Sequence, residues 1–419
     1  MTDLKLSNRR KPKVTYPMDM FKCHYTGKLV GYYVEDTNYY NVMPNDIACD
    51  NNKCREIGII YSTSHDIPDW NEISSKVSWL DDKSNEVQLG SAIDKIRSAL
   101  NQNTEQKAIP TAPIPSLVGF WKEDKLVFIS LFDFTECEQE QYSLKLDVFS
   151  RNTGILESDI MMSKKALFIG CGSVGSLAAL ELAKAGVGHF MLVDNDIFGY
   201  HNICRHQCGI YDVGRFKTEA LKDRILQINP YAEVVMRNTT IQEVSLDDLT
   251  NFCNPDTIVI GGADNRAGDL YANGIAKQVG MPFMSIGCWE RAFAGEIFYC
   301  LPEGMPDYQD FMEVTGNMSG RVTQNRRFYT TESDLERVAF EPGISVDINF
   351  VTVVAVKLAL DLLNRDNEHY TQRLLPYLTQ YTLVCNTNNT AIGGDMAEIF
   401  SYPLQVTTSI KVPYSPNRN

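Results

Sequence analysis

Two stretches of this chain carry residue types that could do chemistry. The first is HNICRHQC, residues 201–208. His201, Cys204, His206 and Cys208 are nitrogen and sulfur donors of the kind zinc takes. Four ligands inside eight positions would need a very tight local fold, and no CxxC pair stands elsewhere to help. Between them lie Asn202 and Arg205, an amide and a guanidinium, which suit phosphate oxygens instead. The second stretch is GCGSVG, with Gly170, Gly172 and Gly175. Glycines there allow a tight turn and close backbone approach to phosphate, and the following helix offers unpaired N–H groups and a partial positive charge. Asp194 follows nineteen residues after Gly175, where an acid can accept hydrogen bonds from ribose hydroxyls. A glycine turn that merely packs helix on strand is the plainer alternative. The turn alone does not choose between NAD(P) and ATP.

Those residues need elements to hold them. KKALFIG is a short apolar run ending in glycines, SLAALELAKAGVG has helical spacing with a glycine stop, and HFMLVD is a second apolar run. Further on, KTEALKDRILQIN is helical, AEVVMRNTT and DTIVIGGAD are strands, NRAGDLYANGIAKQVG is helical and MPFMSIG is a strand. Strands apolar throughout, alternating with helices, predict a parallel sheet covered on both faces. AFAGEIFYCLP predicts a later antiparallel strand. Residues 303–341 are polar and irregular, and predict a flexible loop or lid. ISVDINFVTVVAVKLALDLL is broken by Asp347, Asn349, Lys357 and Asp361, and predicts a buried helix, not a membrane span.

Before this region, aromatic-rich runs (LVGYYVEDTNYYNV, REIGIIYS) accompany one predicted helix, GSAIDKIRSALNQ. After the Pro-rich AIPTAPIPS, the run SLVGFWKEDKLVFISLFDF predicts strand, tight turn, strand. The expectation is an N-terminal α+β domain over 1–148 and a Rossmann-like domain over 149–419. Only His24 and His65 occur in the first, far apart, which argues against a zinc isopeptidase site.

Composition narrows the classes. The 419 residues are 44% hydrophobic and 22% charged, with a net charge of −14. That balance disfavours a general nucleic-acid or anionic-membrane binder, yet allows a local basic pocket. The polar N-terminus MTDLKLSNRRKPK lacks the apolar core of a signal peptide. Eleven scattered cysteines suit reduced thiols in a cytoplasm.

VDNDIFGYHNICRH followed by DVGRFKTEALKDRI resembles the adenylate-forming family of ThiF, MoeB and the ubiquitin-activating enzymes. The matching positions are Asp194 and Asp196, Asn202 and Arg205, and Gly214 with Lys217. The strand ending in GGADN resembles the family strand whose acid binds magnesium, here Asp264. Arg151, in FSRNTGILESDIMMSKKALFIG, matches an arginine that reaches the partner subunit's ATP in family dimers. The resemblance implies ATP- and Mg²⁺-dependent adenylation of a carboxylate, with pyrophosphate released. It implies Arg205 and Lys217 on the phosphates, Asn202 near them, and Asp194 on the ribose. Gly170, Gly172, Ser173 and Gly175 form the turn, and Asp196 orders the loop or assists the metal. The implied substrate is the C-terminal carboxylate of a ubiquitin-like or sulfur-carrier protein, with a conjugating-enzyme-like acceptor and a homodimer as further expectations. The NxxRH form, the GISVDI segment and the extra N-terminal domain resemble bacterial ubiquitin-like conjugation proteins, some antiviral.

The chain departs from the family twice. Asp307 and Asp310, in MPDYQD, stand where many members carry zinc-binding cysteines, and no CxxC follows. Aspartate oxygen replaces thiolate poorly in such a site, so no zinc is expected. Also, 303–341 contains no cysteine to take the activated acyl group. Cys288 and Cys300 are the nearest candidates for a thioester, and both adjoin predicted strands, where a buried, inert thiol is expected. Two rivals remain: adenylation of a peptide or tRNA base, and a nucleotide-binding pseudoenzyme scaffold. An NAD(P) oxidoreductase is more distant, since it needs none of Asn202, Arg205, Lys217 or Asp264.

Overall fold

The computed structural model describes residues 10–21, 24–48, 53–62, 117–122, 124–131, 135–262, 266–302, 304–315 and 342–410. The chain divides into two compact units, Met1–Asp147 and Val148–Asn419.

The described part of the first unit is a mixed sheet. Its strands are β1 (Lys13–Pro17), β2 (Gly27–Val34), β3 (Tyr39–Val42), β4 (Arg55–Tyr61), β5 (Leu117–Lys122), β6 (Lys125–Ser130), β7 (Thr135–Glu136) and β8 (Glu138–Tyr142). Their order is β7-β6-β5-β4-β2-β3-β1-β8. β5 and β6 form the expected hairpin, while β1 runs parallel to both β3 and β8. Val14, Leu29, Tyr40, Ile60 and Phe128 fill one core. The helix expected from GSAIDKIRSALNQ lies outside the described residues, as do AIPTAPIPS and His65.

The second unit is a Rossmann-like α/β domain. β9 (Lys165–Ile169) leads through the glycine turn into α1 (Ser173–Lys184), then β10 (His189–Val193), α2 (Lys217–Ile228), β11 (Glu233–Arg237), α3 (Leu246–Phe252), β12 (Thr257–Gly261), α4 (Arg266–Val279), β13 (Phe283–Cys288) and β14 (Ala294–Cys300). After α5 (Tyr308–Thr315) and α6 (Ser345–Leu363) come β15 (Tyr381–Cys385) and β16 (Gln405–Ile410). The order is β11-β10-β9-β12-β13-β14-β15-β16. The first five strands are parallel and the last three add antiparallel. Strand order reverses between β9 and β12, the position where ligands bind in open α/β sheets.

The all-apolar strands follow from burial on both faces. In β9, Ala166 and Phe168 face one core with α1 and α6, while Leu167 and Ile169 face the other. α6 packs on α1, β13 and β14. Its apolar run is therefore largely spent within one chain, although Val346 and Val353 stay exposed. Among the described residues no helix is long and apolar enough to cross a membrane.

One expectation is corrected. Residues 303–341 do not begin as a lid, because Tyr308–Thr315 is helical and buries Tyr308 and Phe311. Asp307 starts the helix: its Oδ1 accepts the N–H groups of Gln309 and Asp310, both at 3.0 Å. Asp310 Oδ2 accepts the Asp307 N–H in return, at 3.0 Å. Reciprocal capping of this kind satisfies helix donors that otherwise lack partners. A local cap and two aromatic residues at i, i+3 outweigh the polar composition. Residues 316–341 lie outside the described residues.

Candidate functional site

Three strands end level at the carboxyl edge of the second sheet. Val193 of β10 stands opposite both Ile169 of β9 and Arg237 of β11. The segments leaving them enclose a cleft of about 210 Å³. Gly170, Gly172, Asp194, Asp196 and Lys217 line it, with Thr239–Gln242 opposite. That volume is below the ~300–1,000 Å³ of a typical small-molecule site, so the cleft has room for part of a nucleotide-sized ligand and not for the whole of one.

The glycine turn is built by backbone sterics. Gly170 sits at φ +93°, a left-handed conformation costly for other residues. A Cβ on Gly175 would lie 2.0 Å from the Gly170 carbonyl oxygen, so this glycine lets α1 press on the strand. A Cβ on Gly172 would meet nothing within 4 Å. Its space opens where phosphate can approach the first turn of α1, at Ser173.

Asp194 ties this turn to the next strand. Oδ2 accepts the Cys171 N–H at 2.7 Å and Oδ1 accepts the Asp196 N–H at 2.8 Å. Burial pushes its carboxyl up, although those two N–H groups oppose the shift. Each oxygen keeps a lone pair for a further donor.

A short antiparallel pairing carries Lys217 into the cleft. Phe198 N–H donates to Arg215 O, Gly214 N–H to Phe198 O and Lys217 N–H to Asp196 O. Gly214 permits the turn with φ +90°. The Lys217 ammonium, nearly buried, then meets Asp196 Oδ2 at 2.6 Å. Asp196 thus orders the loop through Lys217.

The loop between these paired strands contains HNICRHQC. His206 uses both ring nitrogens on backbone: Nδ1 accepts the Cys208 N–H at 3.0 Å, so Nε2 carries the proton and donates to Cys171 O at 2.7 Å. Burial lowers its pKa to about 4, keeping the ring neutral. A ring so committed holds the loop on the glycine turn and offers no metal ligand. Cys208 is buried with Phe198 and Ala220, its thiol pushed up to about 12 by burial. Asp212 accepts from Gly209 N–H, Arg215 and Arg224. Burial alone would raise its carboxyl, but these donors hold it below the usual range. Asn202 Oδ1 accepts the Gly199 N–H at 2.8 Å, which leaves its amide nitrogen as the donor to offer elsewhere.

Gly170, Gly172, Asp194, Asp196 and Lys217 are therefore brought together. Asn202 and half-buried Arg205 lie on the adjoining loop but do not line the cleft. Arg151 is exposed on the 3-10 turn Ser150–Asn152, also away from the lining. Asp264 lies outside the described residues, although Gly262, two positions earlier, lines the cleft. Cys288 closes β13, half-buried. Cys300 is buried against Asn273, its thiol pushed up to about 12 by burial. Among the described cysteines Cys204 is the exposed one. Sequence reasoning missed Thr239–Gln242. Thr240 and Glu243 have the T-x-x-E spacing of a capping box, and the Glu243 carboxylate accepts the Thr240 N–H at 3.3 Å, so that spacing was the available signal.

Sheet order, switch point and cleft define a Rossmann-like domain of the nucleotide-binding type. The ThiF family matches residues 147–389, more than half of the chain, and the chain belongs to that family. Similar relatives include the probable molybdopterin-synthase adenylyltransferase of Porphyra purpurea, 29% identical over 35% of this chain and 37% of that protein. The sulfur carrier protein ThiS adenylyltransferase of Bacillus subtilis (strain 168) is 25% identical over 40% and 53%. Ubiquitin-like modifier-activating enzyme 5 of Caenorhabditis elegans is 26% identical over 35% and 37%. The chain thus spans about a third to a half of the length of these curated relatives. Among solved structures it is similar to E. coli MccB with ATP, 18% identical, covering 62% of this chain and 67% of that chain at a TM-score of 0.44.

Proposed function

We propose that this protein adenylates the C-terminal carboxylate of a ubiquitin-like or sulfur-carrier protein with ATP, releasing pyrophosphate. The observation that carries the reading is the single cleft that joins an open glycine turn, Asp194 and the ammonium of Lys217. Membership of the ThiF family and the adenylyltransferase activity named for its relatives support it.

The chemistry asks little covalent work of the protein. A carboxylate oxygen attacks the α-phosphorus, a P–O bond forms, and the bond to pyrophosphate breaks. The chain must hold the partners in line and neutralise charge on the phosphates. Gly172 and the first N–H groups of α1 receive phosphate. Lys217 supplies a point charge, which Asp196 holds in place beforehand. Asp194 accepts from the ribose. Arg205 and the Asn202 amide nitrogen, from the loop that His206 pins to the turn, reach phosphate extending beyond the cleft. Arg151 serves the site of a second copy in a homodimer, for which exposed Val346 and Val353 offer surface. Asp264 and oxygens of the phosphates suit Mg²⁺, a hard ion, which when bound offsets phosphate charge. A thioester on Cys288 is not required. The NxxRH form, the GISVDI segment and the N-terminal unit support a place in a bacterial conjugation system, cytoplasmic and antiviral.

ATP–pyrophosphate exchange, run with carrier proteins encoded beside this gene, tests the reading. Exchange that depends on one carrier and disappears in Asp264→Ala supports it. ATP binding without exchange for every carrier favours a scaffold, and preference for NADH over ATP removes both.

A further inference from the structure

Two hydroxyls in the cleft have their hydrogens committed to one carboxylate. Thr239 Oγ1 and Thr240 Oγ1 both donate to Glu243 Oε2, the second at 3.0 Å, and the Thr240 N–H points to the same oxygen at 3.3 Å. An ionised carboxylate only accepts, so the hydroxyl directions are settled. Each threonine oxygen then offers a ligand lone pairs and no hydrogen. The same bonds, that from Thr239 foremost, hold the Glu243 carboxyl below its usual range, and a glutamate is ionised at neutral pH even without them. The turn is anchored from beneath. Ile241 and Val244 are buried in the core under α4, and Ile241 lies against Gly268.

Position along the sheet edge says what meets these oxygens. β9, β10 and β11 are neighbours and end level. Adjacent strands lie ~4.8 Å apart, so the loops after β9 and β11 stand roughly 10 Å apart, about the span of a nucleoside. With phosphate at the glycine turn and ribose at Asp194, the base falls at Thr239–Gln242. That wall of the cleft carries no cation. Gln242 can turn either end of its amide toward a base, and so does not discriminate by itself.

We propose that Thr239 and Thr240 read the exocyclic amino group of adenine as paired acceptors, with Glu243 as the positioning residue that makes them acceptors. A 6-oxo purine places an acceptor against acceptors at the same point. This inference rests on the nucleotide reading above and adds base selectivity to it.

Equilibrium binding of ATP, ITP and GTP to the full chain, with Mg²⁺ present, tests it. ATP should bind about tenfold more tightly than either of the others. In Glu243→Ala the hydroxyls can rotate and donate, so the gap should shrink to about threefold or less. Glu243→Gln should keep the gap, because its amide oxygen still accepts both hydroxyls. Thr239→Val should weaken ATP and leave ITP nearly unchanged, a second readout should Glu243→Ala fail to fold. Equal ATP and ITP affinity in the wild type, GTP binding tightest, or one common loss for all three nucleotides in Glu243→Ala overturns the base assignment alone. Binding of none of the three in the wild type overturns the nucleotide reading itself.

Discussion

The glycine turn and the loop of residues 195–216 meet directly where His206 bonds to Cys171, yet they are built by different means. The turn stands on backbone geometry: Gly170 in a left-handed conformation and Gly175 pressed on the Gly170 carbonyl. The loop stands on side chains that reach backbone or ions: His206 to Cys171, Asp212 to two arginines, Lys217 to Asp196. The first should break when atoms are added. The second should break when a side-chain group is removed or titrated.

The largest expected effect is on the loop side. Lys217→Ala should lower pyrophosphate exchange roughly 10²–10³-fold, as loss of one charge-stabilising group does, with a small change in denaturant midpoint. A loss of midpoint in proportion to the activity would recast Lys217 as a structural ion-pair partner.

On the turn side, two glycines separate packing from binding. Gly175→Ala should destabilise by at least about 2 kcal/mol, seen in chemical denaturation, since backbone at 2.0 Å cannot move cheaply. Gly172→Ala should fold as the wild type does, because its Cβ meets nothing within 4 Å, yet bind ATP at least about tenfold more weakly. Equal stability losses at the two positions would remove the distinction between them.

His206 gives the loop an acid limit. Its folded pKa is depressed to about 4 from an ordinary 6.5, chiefly by burial. Between those values the unfolded chain binds more protons, so stability is full above about pH 6.5 and falls as pH drops toward 4. The shift corresponds to about 3 kcal/mol. His206→Gln, whose amide can still donate to Cys171, should flatten the pH dependence of the denaturant midpoint in that window. An unchanged pH profile would place the acid sensitivity elsewhere.

The smallest effect is local. Asp307→Ala should cost about 1 kcal/mol through loss of the α5 cap, and elemental analysis of the wild type should find no zinc.

What was legible in the sequence follows the same division. Apolar strands alternating with helices, and glycines with φ or space requirements, are local signals, so β9 to β14 and the glycine turn could be read directly. The pairing of Asp196 with Lys217 was legible only as two motifs by resemblance, not as an ion pair, because the contact spans 21 positions and needs the turn at Gly214. His206 looked like a metal ligand by type; only the positions of Cys171 and Cys208 reveal why it is neutral and committed. Residues 308–315 were misread because a polar stretch hid a cap and two buried rings. Thr239–Gln242 carried a capping signature, but its place in the cleft depends on β11 ending level with β10, which spacing does not encode.

The central claim is that a carboxylate attacks the α-phosphorus of ATP bound in this cleft. The most direct measurement uses a carrier protein labelled with ¹⁸O at its C-terminal carboxylate, with the products analysed by mass spectrometry. Adenylation predicts AMP and pyrophosphate, with ¹⁸O transferred to AMP after the acyl group is released, and almost none with Lys217→Ala. ADP and inorganic phosphate as products, or AMP free of ¹⁸O, would contradict it.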